Sequence, residues 1–466
     1  MHLILLFFFP IGYLLTYQLF ENYSAEYFLL SALLSLSFAL MLLNLKNINY
    51  KNIIIFIIVI IFIFGYFIKF YYLSYYWDDV SQQANLNKII GHIPMDIITI
   101  PKLFYVFEVI SFSFILFSLA SPIILRLRWV KPSDIDVSGE FINKTDRKIM
   151  LARKITYIAL VIGIITTYLR YKYNLHHLTE VERLPYNLIG IINTLNIYVS
   201  MPLFGLAYLI GLSSGKKAFI RNISLIFIVW CLIQFILFSA KGFLIYPFVF
   251  IYFSLAIYMG KSNKNYYLLI LGVILFLSIP FIGEYREALK ADTNLNFETI
   301  VSNTLAGKDF FQIYFQSILS ILSRVLGLGE LIYMVELESA SSMGFLDKLI
   351  NFQSAENIMN QKIGFSGTGF APSLLGQAYF SSGSIFGTAL YILIWVVLSS
   401  LVLRALIKNS QNYTLRAVSI LWVVNILFMS IDSTSFTKIM FFIITCVALW
   451  LIYSTMKFNF YISKNK

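Results

Sequence analysis

The sequence predicts an all-α fold: a polytopic membrane protein of about 12 transmembrane helices, with a large helical outer loop before the tenth span. Three observations carry this. Hydrophobic residues make up 59 % of the 466 and charged residues 12 %, against roughly 25 % charged in an average soluble domain. Apolar runs approaching the about 20 residues that cross a hydrocarbon core recur along the chain. With those runs as spans, 21 of the 35 Lys and Arg but 4 of the 23 Asp and Glu fall in alternate connections. That asymmetry is the one that orients membrane proteins.

The apolar cores, in order, are Leu3–Phe20, Tyr27–Leu45, Ile53–Tyr72, Pro101–Leu125, Ile155–Leu169, Asn187–Leu212, Ile223–Phe238, Phe243–Tyr258, Tyr266–Gly283, Ser384–Leu403, Ala417–Ile431 and Ile439–Tyr453. Shorter ones are expected to extend a turn into their flanks. The first core has neither a basic flank before it nor a small-residue cleavage site after it, so it reads as a retained span. The bases then sort to one side. Lys46 and Lys51 follow span two, and the Arg126–Lys154 connection carries eight bases against four acids. Lys216, Lys217 and Arg221 follow span six, Lys261 and Lys264 span eight, and Arg404, Lys408 and Arg416 span ten. Lys457, Lys464 and Lys466 form the tail, so both termini are expected to be cytoplasmic. The charge of +12 is thereby an orientation signal and does not imply nucleic-acid binding.

Cys231 and Cys446 both fall inside predicted spans, where cysteine behaves as a small apolar residue. His176, His177 and Glu180 share a short outer loop, but neighbouring histidines point in different directions on a helix, and no metal site is expected. Ile223–Tyr258 is broken only at Ser239–Ala240–Lys241–Gly242. As one helix it would be about 54 Å long at 1.5 Å per residue, too long for one crossing. Two spans with a tight outer turn are expected, with Lys241 at the membrane surface.

The connection from Glu284 to Pro372 is 89 residues long, with ten acids and six bases. Its Phe310–Met334 stretch is apolar but interrupted by Gln312, Gln316, Arg324 and Glu330, which suggests a helical cap over the outer span ends. The chain thus divides into residues 1–283 with nine spans, 284–372 as the outer loop, and 373–466 with three spans and a tail. Lys241, Arg286 and Arg324 are cations on the side where orientation does not require them. Together they suit a phosphate or pyrophosphate at headgroup depth. Glu284, Glu287, Glu330 and Asp432 are the carboxylates on the same side. After the cap, Gly364–Gly383 is rich in Gly and Ser, which predicts irregular backbone beside a helix start, with Gln377 and Tyr379 available to a sugar.

The long outer loop late in the chain, followed by Pro372–Ser373–Leu374–Leu375–Gly376–Gln377–Ala378–Tyr379–Phe380 and a small-residue entry to the next span, resembles the bacterial O-antigen and capsule repeat-unit polymerases (Wzy-type), membrane glycosyltransferases of GT-C-like architecture. The Ala-Lys-Gly turn at Lys241 looks like the place where relatives carry an arginine. An outer-loop Arg followed after ten residues by Gly, found in some members, does not occur from Arg286 or Arg324. The resemblance implies an inner-membrane enzyme that joins undecaprenyl-pyrophosphate-linked oligosaccharides on the periplasmic face, with a chain-length regulator protein as a further partner. It implies Lys241, Arg286, Arg324, Gln377 and Tyr379 as pyrophosphate- or sugar-binding residues. Arg286 with one of Glu284, Glu287, Glu330 or Asp432 would act in catalysis, and neither metal nor cofactor would be needed.

Three rivals differ from this in sequence. Lipid A-core ligases are expected to use a His in the large loop, and this loop has none. A flippase of lipid-linked sugar also fits twelve spans and a cationic cavity, though such transporters tend to show two similar halves. A polyprenyl-phosphate-sugar glycosyltransferase is expected to carry an outer Asp pair near its first span, whereas Asp78–Asp79 follow span three.

Overall fold

The computed structural model describes residues 2–45, 51–78, 98–127, 129, 145–173, 188–238, 241–258, 327–336, 373–410, 412–431 and 436–462. Every regular element among them is helical. Among the described residues, seven apolar helical stretches are long enough to cross a membrane: Phe9–Leu43, Ile53–Tyr75, Ile100–Arg126, Thr145–Lys172, Ile191–Ser213, Lys217–Phe235 and Ile385–Lys408. Tyr246–Tyr258, Tyr413–Leu427 and Phe442–Met456 are shorter apolar helices. This is the make-up of a multi-pass helical membrane protein. The predicted span Tyr266–Gly283 and most of the Glu284–Pro372 loop lie outside the described residues.

The chain forms two compact units that interleave along the sequence. The first comprises Met1–Arg128, Phe315–Leu401 and Ile426–Phe436; the second comprises Trp129–Tyr314, Val402–Asn425 and Thr437–Lys466.

In the first unit, α1 (His2–Tyr17) and α2 (Ser24–Asn44) are separated by a 3₁₀ segment, Gln18–Tyr23. Phe20 leaves helical geometry there, with φ −109° and ψ 25°. The apolar stretch therefore folds back on itself: the rings of Phe9 and Phe38 lie 4.5 Å apart and Tyr13 stacks on Tyr27 at 5.2 Å. A straight helix could not bring those pairs together. Next come α3 (Ile53–Ile61), a π-helical segment (Phe62–Phe67) and α4 (Ile68–Tyr75), which run on as one span. They pack with α5 (Ile100–Arg126) through aromatic contacts such as Phe67–Phe114 at 5.5 Å and Phe70–Phe107 at 4.9 Å.

The second unit is built around α6 (Thr145–Lys172), α7 (Leu188–Asn193), a π-helical segment (Thr194–Ser200), α8 (Met201–Ser213), α9 (Lys217–Phe238) and α10 (Lys241–Tyr258). Buried along α6 run Ala152, Thr156, Ala159, Gly163 and Thr166, small residues at helical spacing that let neighbouring backbones approach. Ser200 uses that closeness and donates to the Ala159 carbonyl at 2.9 Å. A Cβ on Gly163 would lie 2.4 Å from the Trp230 ring and 2.9 Å from Ser200 Oγ.

Three expectations need correction. Helix α6 starts at Thr145, so the end of the expected Arg126–Lys154 loop is helix. Asp146 in its first turn and Arg170 and Lys172 in its last favour that extension through the helix dipole. Lys241 and Gly242 are not turn residues, since α10 begins at Lys241, and only 239–240 remain to connect it to α9. Residues 374–382 are not irregular backbone but a helix, capped at both ends.

Candidate functional site

The described part of the long connection, residues 327–336, and the segment after it meet in the first unit. Helix α11 (Leu328–Glu336) packs on α12 (Leu374–Ser382), and α11 also contacts α5. Helix α12 is followed by α13 (Ile385–Lys408). The Ser373 hydroxyl caps α12 by accepting from the Gly376 N–H at 3.3 Å, and Gly383 ends it in the left-handed conformation at φ 67°, a conformation glycine adopts without steric cost.

Ser373 has φ 57° and ψ 171°, a region nearly reserved for glycine, where strain of about 1–3 kcal/mol is held by the surroundings. Its surroundings are a closed relay. The Leu375 N–H donates to the Tyr66 hydroxyl at 3.0 Å. Tyr66 donates to Ser373 Oγ at 3.1 Å. Ser373 donates onward to the Gly327 carbonyl at 3.4 Å. The Gly327 N–H in turn donates to Glu330 Oε2 at 2.7 Å, the side chain reaching back over the first turn of α11 as in half a capping box.

Gly327 makes this junction possible. A Cβ there would stand 2.1 Å from the carbonyl oxygen of Gly65, a backbone atom that cannot turn aside. Gly65 lies in the π-helical segment Phe62–Phe67, and such single-turn irregularities inside helices recur at functional sites. One turn beyond it, Lys69 is fully buried and lies within electrostatic reach of Glu330. Glu330 is 4 % exposed. Burial pushes its carboxyl above the usual range, while the Lys69 charge and the Gly327 N–H pull it back.

Of the residues expected to form the site, Glu330, Gln377 and Tyr379 are brought into this unit, and Gly376 packs against the Glu330 backbone, where a Cβ would lie 3.5 Å from the carbonyl oxygen. Glu330 is buried inside the junction. Tyr379 is 1 % exposed, and its hydroxyl donates to that of Tyr105 at 3.3 Å. Gln377 is half-buried and donates to Ser381 Oγ at 3.2 Å. It alone of the three keeps a solvent-reachable edge. Lys102 and Glu336 form an ion pair at the part-exposed rim. Arg286, Glu284, Glu287, Arg324 and Asp432 lie outside the described residues, as do His176, His177 and Glu180; Lys241 opens α10, and only its backbone is described.

Lys69, Tyr66, Ser373 and the Gly65–Gly327 approach were missed. Lys69 had a signal: it is the sole charged residue between Ile53 and Tyr75, and an ionisable side chain within a span is a functional candidate by default. The glycine pair and the hydroxyl relay had none, because they join positions about three hundred residues apart. Comparison with protein-family models, curated proteins and solved structures yields no match to this chain.

Proposed function

We propose that the chain is a membrane glycosyltransferase that joins lipid-pyrophosphate-linked oligosaccharide units into a polymer at the outer membrane face. The observation that supports this best is the junction of α11 and α12. It ties the long outer connection and the Pro-Ser-Leu-Leu-Gly-Gln-Ala-Tyr-Phe segment to one strained, buried polar cluster. A rigid floor of that kind suits a site whose reactive groups come from the adjoining connection.

In this reading the donor's anomeric carbon loses its lipid pyrophosphate, and cations offset the charge that develops on the leaving group. Arg286, Arg324 and Lys241 are the residues proposed for that task. The acceptor hydroxyl gives its proton to a carboxylate. Glu330 is too enclosed to take it and is a positioning residue here, so the base is sought among Glu284, Glu287 and Asp432. Gln377 supplies a hydrogen bond to a sugar hydroxyl.

A second reading, a lipid-linked oligosaccharide flippase, draws on the buried Lys69, which lies within electrostatic reach of Glu330, since ionisable groups inside spans also serve proton-coupled transport. Deletion of the gene separates the two. The polymerase reading expects single repeat units to be exported and attached while polymer disappears, and Arg286→Ala to reproduce that phenotype at normal protein level. Single units trapped on the cytoplasmic face would instead establish the flippase. An Arg286→Ala protein that makes wild-type polymer would remove that residue from the site.

A further inference from the structure

At one end of the second unit, exposed cations stand at the head of apolar helix faces. Asp146 is the sole acid in residues 145–173 and 188–238, and it is paired with Lys216 at 3.0 Å. Lys148 donates to the Ser213 carbonyl at 3.4 Å. Arg153 on α6, with Lys217 and Arg221 on α9, are exposed and meet no acid of these helices. Both helices pack on α8. The Arg153 guanidinium lies 5.7 Å from the centre of the Phe219 ring, a cation–π contact that joins α6 to α9. Lys217 opens α9, where a cation opposes the helix dipole, a cost that a bound anion offsets.

The surface next to these cations is apolar. One turn after Arg153 comes Tyr157, 66 % exposed, then Val161 and Ile165, also exposed. On α9, Lys217 and Arg221 are one turn apart, and Leu225, Val229 and Ile233 continue the exposed stripe in steps of four. Residues four apart share a helix face. In a bilayer these two faces meet acyl chains, so their first turns meet headgroups, and Tyr157 is an aromatic of the kind found at that depth. Orientation of the chain calls for bases in a connection, not at the head of a lipid-facing stripe. Positive charge set above continuous apolar faces fits an amphiphile with an anionic head.

We propose that this end of the second unit binds an anionic phospholipid of the adjacent leaflet. Arg153, Lys217 and Arg221 take the phosphate, and the acyl chains lie along α6 and α9. The site stands apart from the glycosyl-transfer reading and uses none of its residues.

The full chain is purified in a non-ionic detergent, and lipid binding is followed by native mass spectrometry. Phosphatidylglycerol should bind about tenfold more tightly than phosphatidylcholine, whose net charge is zero. Arg153→Gln and Arg221→Gln should each weaken phosphatidylglycerol binding about fivefold and leave phosphatidylcholine binding unchanged. Lys408→Gln, at the last turn of α13, removes the same charge from another helix and should alter neither. Glycerol 3-phosphate in large excess should not displace the lipid. All three replaced side chains are exposed, so thermal unfolding without lipid should stay close to that of the parent. Equal affinity for the two lipids, an equal loss in Lys408→Gln, or displacement by glycerol 3-phosphate would overturn the proposal. So would Arg153→Gln and Arg221→Gln proteins that unfold earlier without lipid, which would assign these cations to acids of the chain itself.

Discussion

At the scale of single residues, the Glu330 carboxyl is the most telling group, because burial raises its proton affinity against the opposing pull of Lys69. The folded protein then holds this proton more tightly than the unfolded chain. Its contribution to stability is complete below the ordinary carboxylate range and is lost as pH rises through the raised value. Thermal unfolding of the purified protein should show that decline. Glu330→Gln, which keeps an oxygen for the Gly327 N–H, should flatten it. Lys69→Met removes the charge that favours the carboxylate, so the decline should move to higher pH. An unchanged profile in both variants would mean that Glu330 does not titrate in the folded protein.

At the scale of elements, the approach of α11 to the π-helical segment depends on the absence of a side chain. Gly327→Ala places a methyl 2.1 Å from the Gly65 carbonyl oxygen, and the helices can separate only by breaking the Ser373 relay. A destabilisation of about 1–3 kcal/mol is expected, as for other overpacked cores. Gly376→Ala is the control. Its closest neighbours are Ser373 Oγ at 3.2 Å and Met334 Cγ at 3.4 Å, side-chain atoms that can give, so its cost should be clearly smaller. Calorimetry or thermal-shift comparison decides, and equal losses would remove the special role of the glycine contact.

At the scale of the whole molecule, the charge pattern makes one demand: the basic connections lie on one side and the Glu284–Pro372 segment on the other. Cysteine accessibility reads this directly once Cys231 and Cys446 are replaced by Ala. Ser262→Cys should label from the cytoplasmic side and Asn351→Cys from the outer side. Label reaching Asn351→Cys only from the cytoplasm would reverse the topology and with it the placement of every proposed site residue.

Hydropathy and charge are properties of contiguous chain, and both were legible in the sequence: the apolar helices, their approximate bounds and the membrane class follow from them. So did the break between α1 and α2. Helix ends were misplaced where polar residues extend a helix beyond its apolar core, as at Thr145 and Lys241. What the tertiary structure alone decided is which polar atoms meet. Tyr66 with Ser373, Gly65 with Gly327, and Asn196 and Gln234 with the α6 threonines are partners distant in sequence. A composition rule has no term for them. In an apolar surrounding, where an unpaired polar atom has no water to turn to, those few distant pairings determine which helices lock together.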